Sequence, residues 1–229
     1  MERTLTPELL DVLPSSDPLA IGSRRDLARI NALMFQASIM TGQLRRHVLP
    51  PRRILDIGSG DGRFTLSIAK RMVRHWPDVE LVLLDRSVLV PQQRIDQFAE
   101  LGWRAEAVAS DACAWMEQGP EPGFDLVMAN LFLHHFKGEA LARLLAAAGR
   151  LSPVLCATEP RRSLRALAAA RLLGAIGANA ITRHDAEASV AAGFAGRELT
   201  DLWPGGVEGV LVERDVGPFT HVFVTGPRP

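Results

Sequence analysis

The stretch Ile54-Leu55-Asp56-Ile57-Gly58-Ser59-Gly60-Asp61-Gly62-Arg63-Phe64 decides the fold. A short apolar run carrying one acid breaks into three glycines at alternate positions, and a helix-compatible segment, Phe64 to Trp76, comes directly after. Strand, glycine turn, helix is the geometry that brings backbone N–H groups and a helix N-terminus against a nucleotide-like ligand. Glycine suits the turn because it allows positive φ and lets a ligand lie on bare backbone. The spacing is Gly-x-Gly-x-Gly, not the Gly-x-Gly-x-x-Gly of the dinucleotide fingerprint. Asp56 and Asp61 flank the turn. Carboxylates there repel a pyrophosphate but favour a ligand carrying an amine and a positive sulfur.

On these residues the chain resembles the class I S-adenosylmethionine (SAM)-dependent methyltransferases. The acids at the turn already disfavour NAD and ATP without that resemblance.

Outward from the turn, strand and helix alternate. Strands are expected at 53–57, 80–85, about 105–109, 125–130 and 154–158. Helices are expected at 64–74, 91–101, just after Asp111 and at about 137–150. Short apolar strands alternating with helices imply a parallel sheet covered on both faces. The chain closes with 197–203, then 210–215 and 220–225 as a hairpin or a pair of edge strands. The fold class is therefore α/β: a Rossmann-like, seven-stranded, mainly parallel sheet with one antiparallel strand near the C-terminus, which is also the architecture the resemblance implies.

Residues 1–50 read as a helical arm or lid, and 51–229 as the SAM-binding domain with a helical insertion at about 160–192. In the arm, Ser23 is the expected cap of one helix over 24–48, ended by Pro50-Pro51. In the insertion, one helix is expected from Ser163 to about Gly177 and another over 185–192, capped by Asp185.

Lys plus Arg and Asp plus Glu stand at 26 each, so no basic excess points to nucleic acid. Two distant cysteines, Cys113 and Cys156, read as free thiols in a reducing cytoplasm. A signal peptide and a membrane span are not expected. A homodimer is compatible with this reading. Paired acids or a His cluster at ligand spacing are not visible, so metal independence is expected.

Ligands of open parallel sheets bind beyond the strands' carboxyl ends. By resemblance, Asp56 with Gly58, Ser59 and Gly60 holds the methionine portion of SAM, and Asp85 takes the ribose. Arg86 packs on the adenine or is solvated. Asp111 and the Ala112 N–H meet the adenine ring, and Asn130 closes the set; each acid has a helix or turn cap as its alternative. Trp115 either covers the adenine or is core.

The strand-four exit, Asn130-Leu131-Phe132-Leu133-His134-His135, lacks the prolines of amino-group methyltransferases. It resembles small-molecule enzymes of the ubiquinone/menaquinone-biosynthesis-like group. His134, His135 and His184 are the candidate bases, since imidazole titrates near neutrality. Glu159 should face the pocket, and Arg161 and Arg162 either bind an acidic acceptor group or are solvated. Met34, Phe35, Met40 and the apolar residues of 164–181 suggest a greasy acceptor pocket.

The expected activity is methylation of a hydroxyl on an aromatic or polyketide-like small molecule. Carbon methylation of a quinol-type ring, a catalytically silent SAM-fold binding protein and a nicotinamide oxidoreductase are the competing readings.

Overall fold

The computed structural model describes residues 1–14, 16–118, 123–204 and 209–227. Its centre is a seven-stranded sheet in the order β3-β2-β1-β4-β5-β7-β6. The strands are β1 Arg53–Ile57, β2 Glu80–Asp85, β3 Arg104–Ala109, β4 Leu126–Asn130, β5 Leu155–Pro160, β6 Val210–Val216 and β7 Thr220–Gly226. The first five pair in parallel, and β7 runs antiparallel to both β5 and β6. The expected single reversed strand is thus β7, the second arm of the hairpin.

Period-two alternation sorts the strand residues onto two cores. Leu55, Ile57, Val127, Ala129, Leu155 and Ala157 face α6 (Ala112–Gln118) and α7 (Gly138–Leu151). Ile54, Leu81, Leu83, Leu126, Met128 and Cys156 face α3 (Gln36–His47), α4 (Arg63–Met72) and α5 (Gln92–Ala99). Both faces being covered explains why β1, β2 and β4 read as nearly continuous apolar runs. The strand order reverses between β1 and β4, so the crevice at their carboxyl ends is the topological switch point.

The N-terminal arm differs from its expectation. A single helix over 24–48 is replaced by α2 (Pro18–Leu33) and α3, which join at Phe35 with φ +55°. Asp17, not Ser23, caps α2, accepting from the Leu19 and Ala20 N–H groups, and Pro18 fills the first helical position. Ser23 is buried inside the helix, where its hydroxyl meets Thr182 Oγ1 at 3.1 Å.

The insertion also departs from its expectation. α8 (Leu164–Arg171) passes into a 3-10 turn at Leu172–Ile176, and α9 (Ala180–Ala192) starts earlier than expected, capped by Asn179. Asp185 lies inside α9 and instead accepts from the Leu9 and Leu10 N–H groups at 2.7 and 3.0 Å, capping the short helix α1 (Leu9–Val12). Segment 197–203 ends in a 3-10 turn at Thr200–Leu202. Among the described residues no helix is long and apolar enough to cross a membrane.

Candidate functional site

The glycine turn leaves β1 and folds back on β2. Gly58 and Ser59 donate to the Leu84 carbonyl at 2.8 and 3.1 Å, and Gly60 donates to Asp85 Oδ2 at 2.9 Å. Gly58 has φ +71°, and a Cβ there would sit 2.3 Å from the Phe132 ring, so this position requires glycine. Gly60 has φ +56° with open space on its Cβ side, which keeps bare backbone accessible.

A cavity of about 610 Å³ opens over this turn. All nine residues expected to hold the cofactor line it: Asp56, Gly58, Ser59, Gly60, Asp85, Arg86, Asp111, Ala112 and Asn130. All but Ala112, the first residue of α6, come from a strand end or the turn after it, as expected of an open parallel sheet.

The acids are held differently. Asp56 is buried at 4% exposure, and Thr65 Oγ1 of α4 donates to its Oδ2. Burial pushes this carboxyl up to about 7; the Thr65 bond opposes the rise and the charge of Asp85 adds to it. Asp85 accepts from Gly60 and, through Oδ1, from the Ser87 N–H at 3.0 Å. Asp111 accepts from the Ala114 N–H at 2.9 Å, so the cap expected as its alternative role is present alongside its place in the cavity. Ser59 Oγ is buried with no hydrogen-bond partner among the described residues, a polar atom suited to a bound polar group. The strand tips therefore form a cradle of acids, bare backbone and one orphan hydroxyl.

The strand-four exit is bent by Leu131, at φ +53°, a conformation uncommon for a non-glycine residue. Glu159, fully buried at the end of β5, fixes the loop beyond the bend. Its carboxylate accepts from the Phe132, Leu133 and His134 N–H groups at 3.0, 2.8 and 3.3 Å, and from His134 Nδ1–H at 2.7 Å. Expected at the pocket wall, Glu159 instead sits behind His134.

His134 and His135 both line the cavity, and Glu8 joins them from the N-terminal segment. Burial alone would lower the His134 pKa, but the hydrogen bond to Glu159 and the negative charges of Glu159 and Glu8 outweigh it and raise it to about 9. His134 is thus an imidazolium at neutral pH and not a free base. His184 is absent from the cavity; its ring contacts Asp185 at 3.0 Å and its side chain is 43% exposed.

Other candidates turn out to be structural. Trp115 packs against Phe124 and the core, away from the cavity lining. Arg161, partly exposed, pairs with Asp215 at 2.9 Å and Arg162, whose side chain is largely buried, with Glu198 at 2.6 Å, and neither lines the cavity.

The apolar wall comes from residues not singled out in the sequence. Leu10, Leu13, Leu27, Phe64, Phe132 and Phe136 line the cavity. Met40 is in the core, Phe35 is exposed, and of the insertion only Ser189 reaches the cavity. The absence of metal-ligand spacing in the sequence does not carry over to space. Glu8, His134 and His135 place one ligand atom each within 4.8 Å of the other two.

Residues 54–152 match the model of a family described as a methyltransferase domain. No curated protein matches the chain. Among solved structures, the plantazolicin methyltransferase BpumL in complex with SAH is similar at TM-score 0.64 and 16% identity, covering 93% of this chain and 92% of that one. The pyocyanin biosynthetic protein PhzM gives TM-score 0.60 and 21% identity, over 95% of this chain and 60% of that one. An O-methyltransferase family protein from Burkholderia thailandensis gives TM-score 0.57 and 16% identity, over 93% of this chain and 61% of that one. The chain thus spans about three fifths of the length of the last two. At these identities the likeness is one of fold.

Proposed function

We propose that this chain, whose residues 54–152 match a methyltransferase-domain model, is a class I SAM-dependent enzyme that methylates a hydroxyl on an aromatic or polyketide-like small molecule. The observation that carries this reading is the continuity of the cavity. One volume of about 610 Å³ joins the acidic strand tips to a wall of Leu10, Leu13, Leu27, Phe64, Phe132 and Phe136. When bound, the cofactor supplies an electrophilic methyl group on a positive sulfur.

The chain's own residues do the rest. Asp56 and Asp85 meet cationic and hydroxyl groups of the donor, while Gly58, Ser59 and Gly60 offer backbone and a hydroxyl. Asp111, Ala112 and Arg86 hold the adenine end, and Asn130 closes the floor beside Thr158, whose hydroxyl donates to Asn130 Oδ1 at 2.8 Å. The aromatic wall orients a flat acceptor and excludes water, and alignment of this kind is a large share of an in-line displacement barrier. Of the candidate bases, His134 and His135 line the cavity and His184 does not.

An O-methyltransferase family protein among the similar structures agrees with methyl transfer to an oxygen. The test is incubation with methyl-labelled SAM and a panel of phenols, quinols and polyketide aromatics, with products assigned by NMR. An oxygen-bound methyl on an aromatic acceptor is expected. A ring-carbon methyl would transfer the assignment to quinol-type carbon methylation. Tight SAM binding with no turnover on any acceptor would favour a binding protein.

A further inference from the structure

Glu8, His134 and His135 meet at the loop after β4 although the acid lies far from both imidazoles in sequence. His134 is held in one orientation from behind. Its Nδ1–H donates to Glu159 at 2.7 Å, and that carboxylate is pinned by three backbone N–H groups of the same loop. Nε2 is the nitrogen left over. It is buried, makes no hydrogen bond among the described residues, and faces Glu8 Oε1 at 3.4 Å.

In the metal-free protein a proton on Nε2 faces the Glu8 carboxylate. A metal ion can displace that proton and take the nitrogen's lone pair and the carboxylate oxygen together, and two further features favour such an ion. The His135 ring lies tilted against His134, centroids 4.3 Å apart at 31°, which brings a second imidazole to the same point. A carboxylate on the rear nitrogen of a histidine is also the arrangement that orients metal-ligating imidazoles and raises their basicity.

We propose that Glu8, His134 and His135 bind a divalent transition-metal ion of the Zn²⁺ class, with Glu159 orienting His134. Two imidazoles and one carboxylate suit Zn²⁺, Co²⁺ or Ni²⁺ better than Mg²⁺ or Ca²⁺, which prefer oxygen ligands. Three protein ligands leave coordination positions for solvent or another oxygen, and all three residues line the cavity. The ion would also tie the N-terminal segment to the body, since Glu8 is its ligand and is held by Ser189 Oγ of α9.

The site is tested without donor or acceptor, so its failure is separate from that of the methyl-transfer reading. Metal-free, tag-free full-length chain is titrated with Co²⁺, monitored by visible d–d absorption and by calorimetry. The expected result is saturation at roughly one equivalent, with the spectrum of a four- or five-coordinate ion. Affinity should fall by more than about tenfold in Glu8→Ala and in His135→Ala, and should hold in His184→Ala. Folding of each variant is checked by circular dichroism and thermal melting, and Glu8→Gln replaces Glu8→Ala if that chain does not fold. An absent or unsaturable spectrum, or an affinity unchanged in either ligand variant, overturns the proposal.

Discussion

Asp56 gives the sharpest test of the donor cradle. Its carboxyl is pushed up to about 7 by burial in the free protein. A donor cation placed beside it favours the ionised form and returns the carboxyl toward its ordinary range. Donor binding and ionisation of Asp56 are therefore linked. Below pH 7 the donor must first displace a proton, and affinity should fall about tenfold per pH unit, or about 1.4 kcal/mol. Between pH 7.5 and 5.5 the fraction ionised drops roughly 25-fold, and Kd should rise by the same factor. The window keeps the donor's own α-amino group, with a pKa of about 7.7–8, mostly protonated. Calorimetry in buffers of different ionisation heat should show about half a proton released at pH 7 and nearly one at pH 6. Asp56→Asn keeps an oxygen that can accept from Thr65 but carries no charge. It should bind the donor weakly at every pH, with no proton release from this site. A wild-type affinity constant within about threefold over the window, or a slope retained in Asp56→Asn, would refute the reasoning.

Gly58→Ala drives a methyl toward the Phe132 ring at a φ of +71°, and should lower stability in urea by about 1–3 kcal/mol and weaken donor binding. Gly102→Ala, at φ +76° with open space, should cost only about 1 kcal/mol. In metal-free protein, His134 has a folded pKa of about 9 against an ordinary 6.5, so its stabilisation is fully present below pH 6.5 and is lost as pH rises through 9. Unfolding free energies from urea melts at pH 6 and pH 9.5 should differ by on the order of 3 kcal/mol more in wild type than in His134→Gln. Burial pushes the Cys156 thiol up to about 12 and raises Cys113 as well. A thiol reagent should label the half-buried Cys113 slowly in the native protein and reach Cys156 only after unfolding.

The parts of the fold legible in the sequence are those whose signals are local. β1, β2 and β4 are bounded apolar runs, and the glycine turn names its own conformation, so the sheet and the positions of Asp56, Asp85 and Asp111 could be read directly. The starts of α4, α5, α6 and α7 fall within a residue of their expected places, whereas those of α2 and α9 do not, although both carry a local signal. Asp17-Pro18 is a cap with a proline in the first turn, and Asn179 caps α9 with its own side chain. Ser23 and Asp185 carry the same side-chain chemistry, and only tertiary contacts decide that they serve Thr182 and α1 instead. The break at Phe35 has no local signature, because a phenylalanine at positive φ is held there by its surroundings. The apolar wall failed for a related reason. Helical periodicity shows that 164–176 has apolar residues without saying what they face, and Leu164, Leu172 and Ile176 are exposed. Glu8 reaches His134 from the N-terminal segment and Glu159 from the following strand β5, which no spacing within a motif can express.

The acids at the strand tips also show why cap and ligand are not competing roles. A carboxylate offers about four lone-pair sites on two oxygens. Asp85 uses one on Gly60 and one on Ser87, and Asp111 uses one on Ala114, so both retain acceptor capacity while holding their turns in place. The backbone bonds fix where each carboxylate stands, which removes the entropy that a free side chain would lose on meeting a ligand. Asp56 is the exception. It has a hydroxyl partner but is deep enough that its own charge is disfavoured without a cation nearby. On the proposed function, two of the three acids are set by the fold before a ligand arrives and the third would be completed by one, so the pH dependence expected of binding belongs to Asp56 and not to the acidic cluster as a whole.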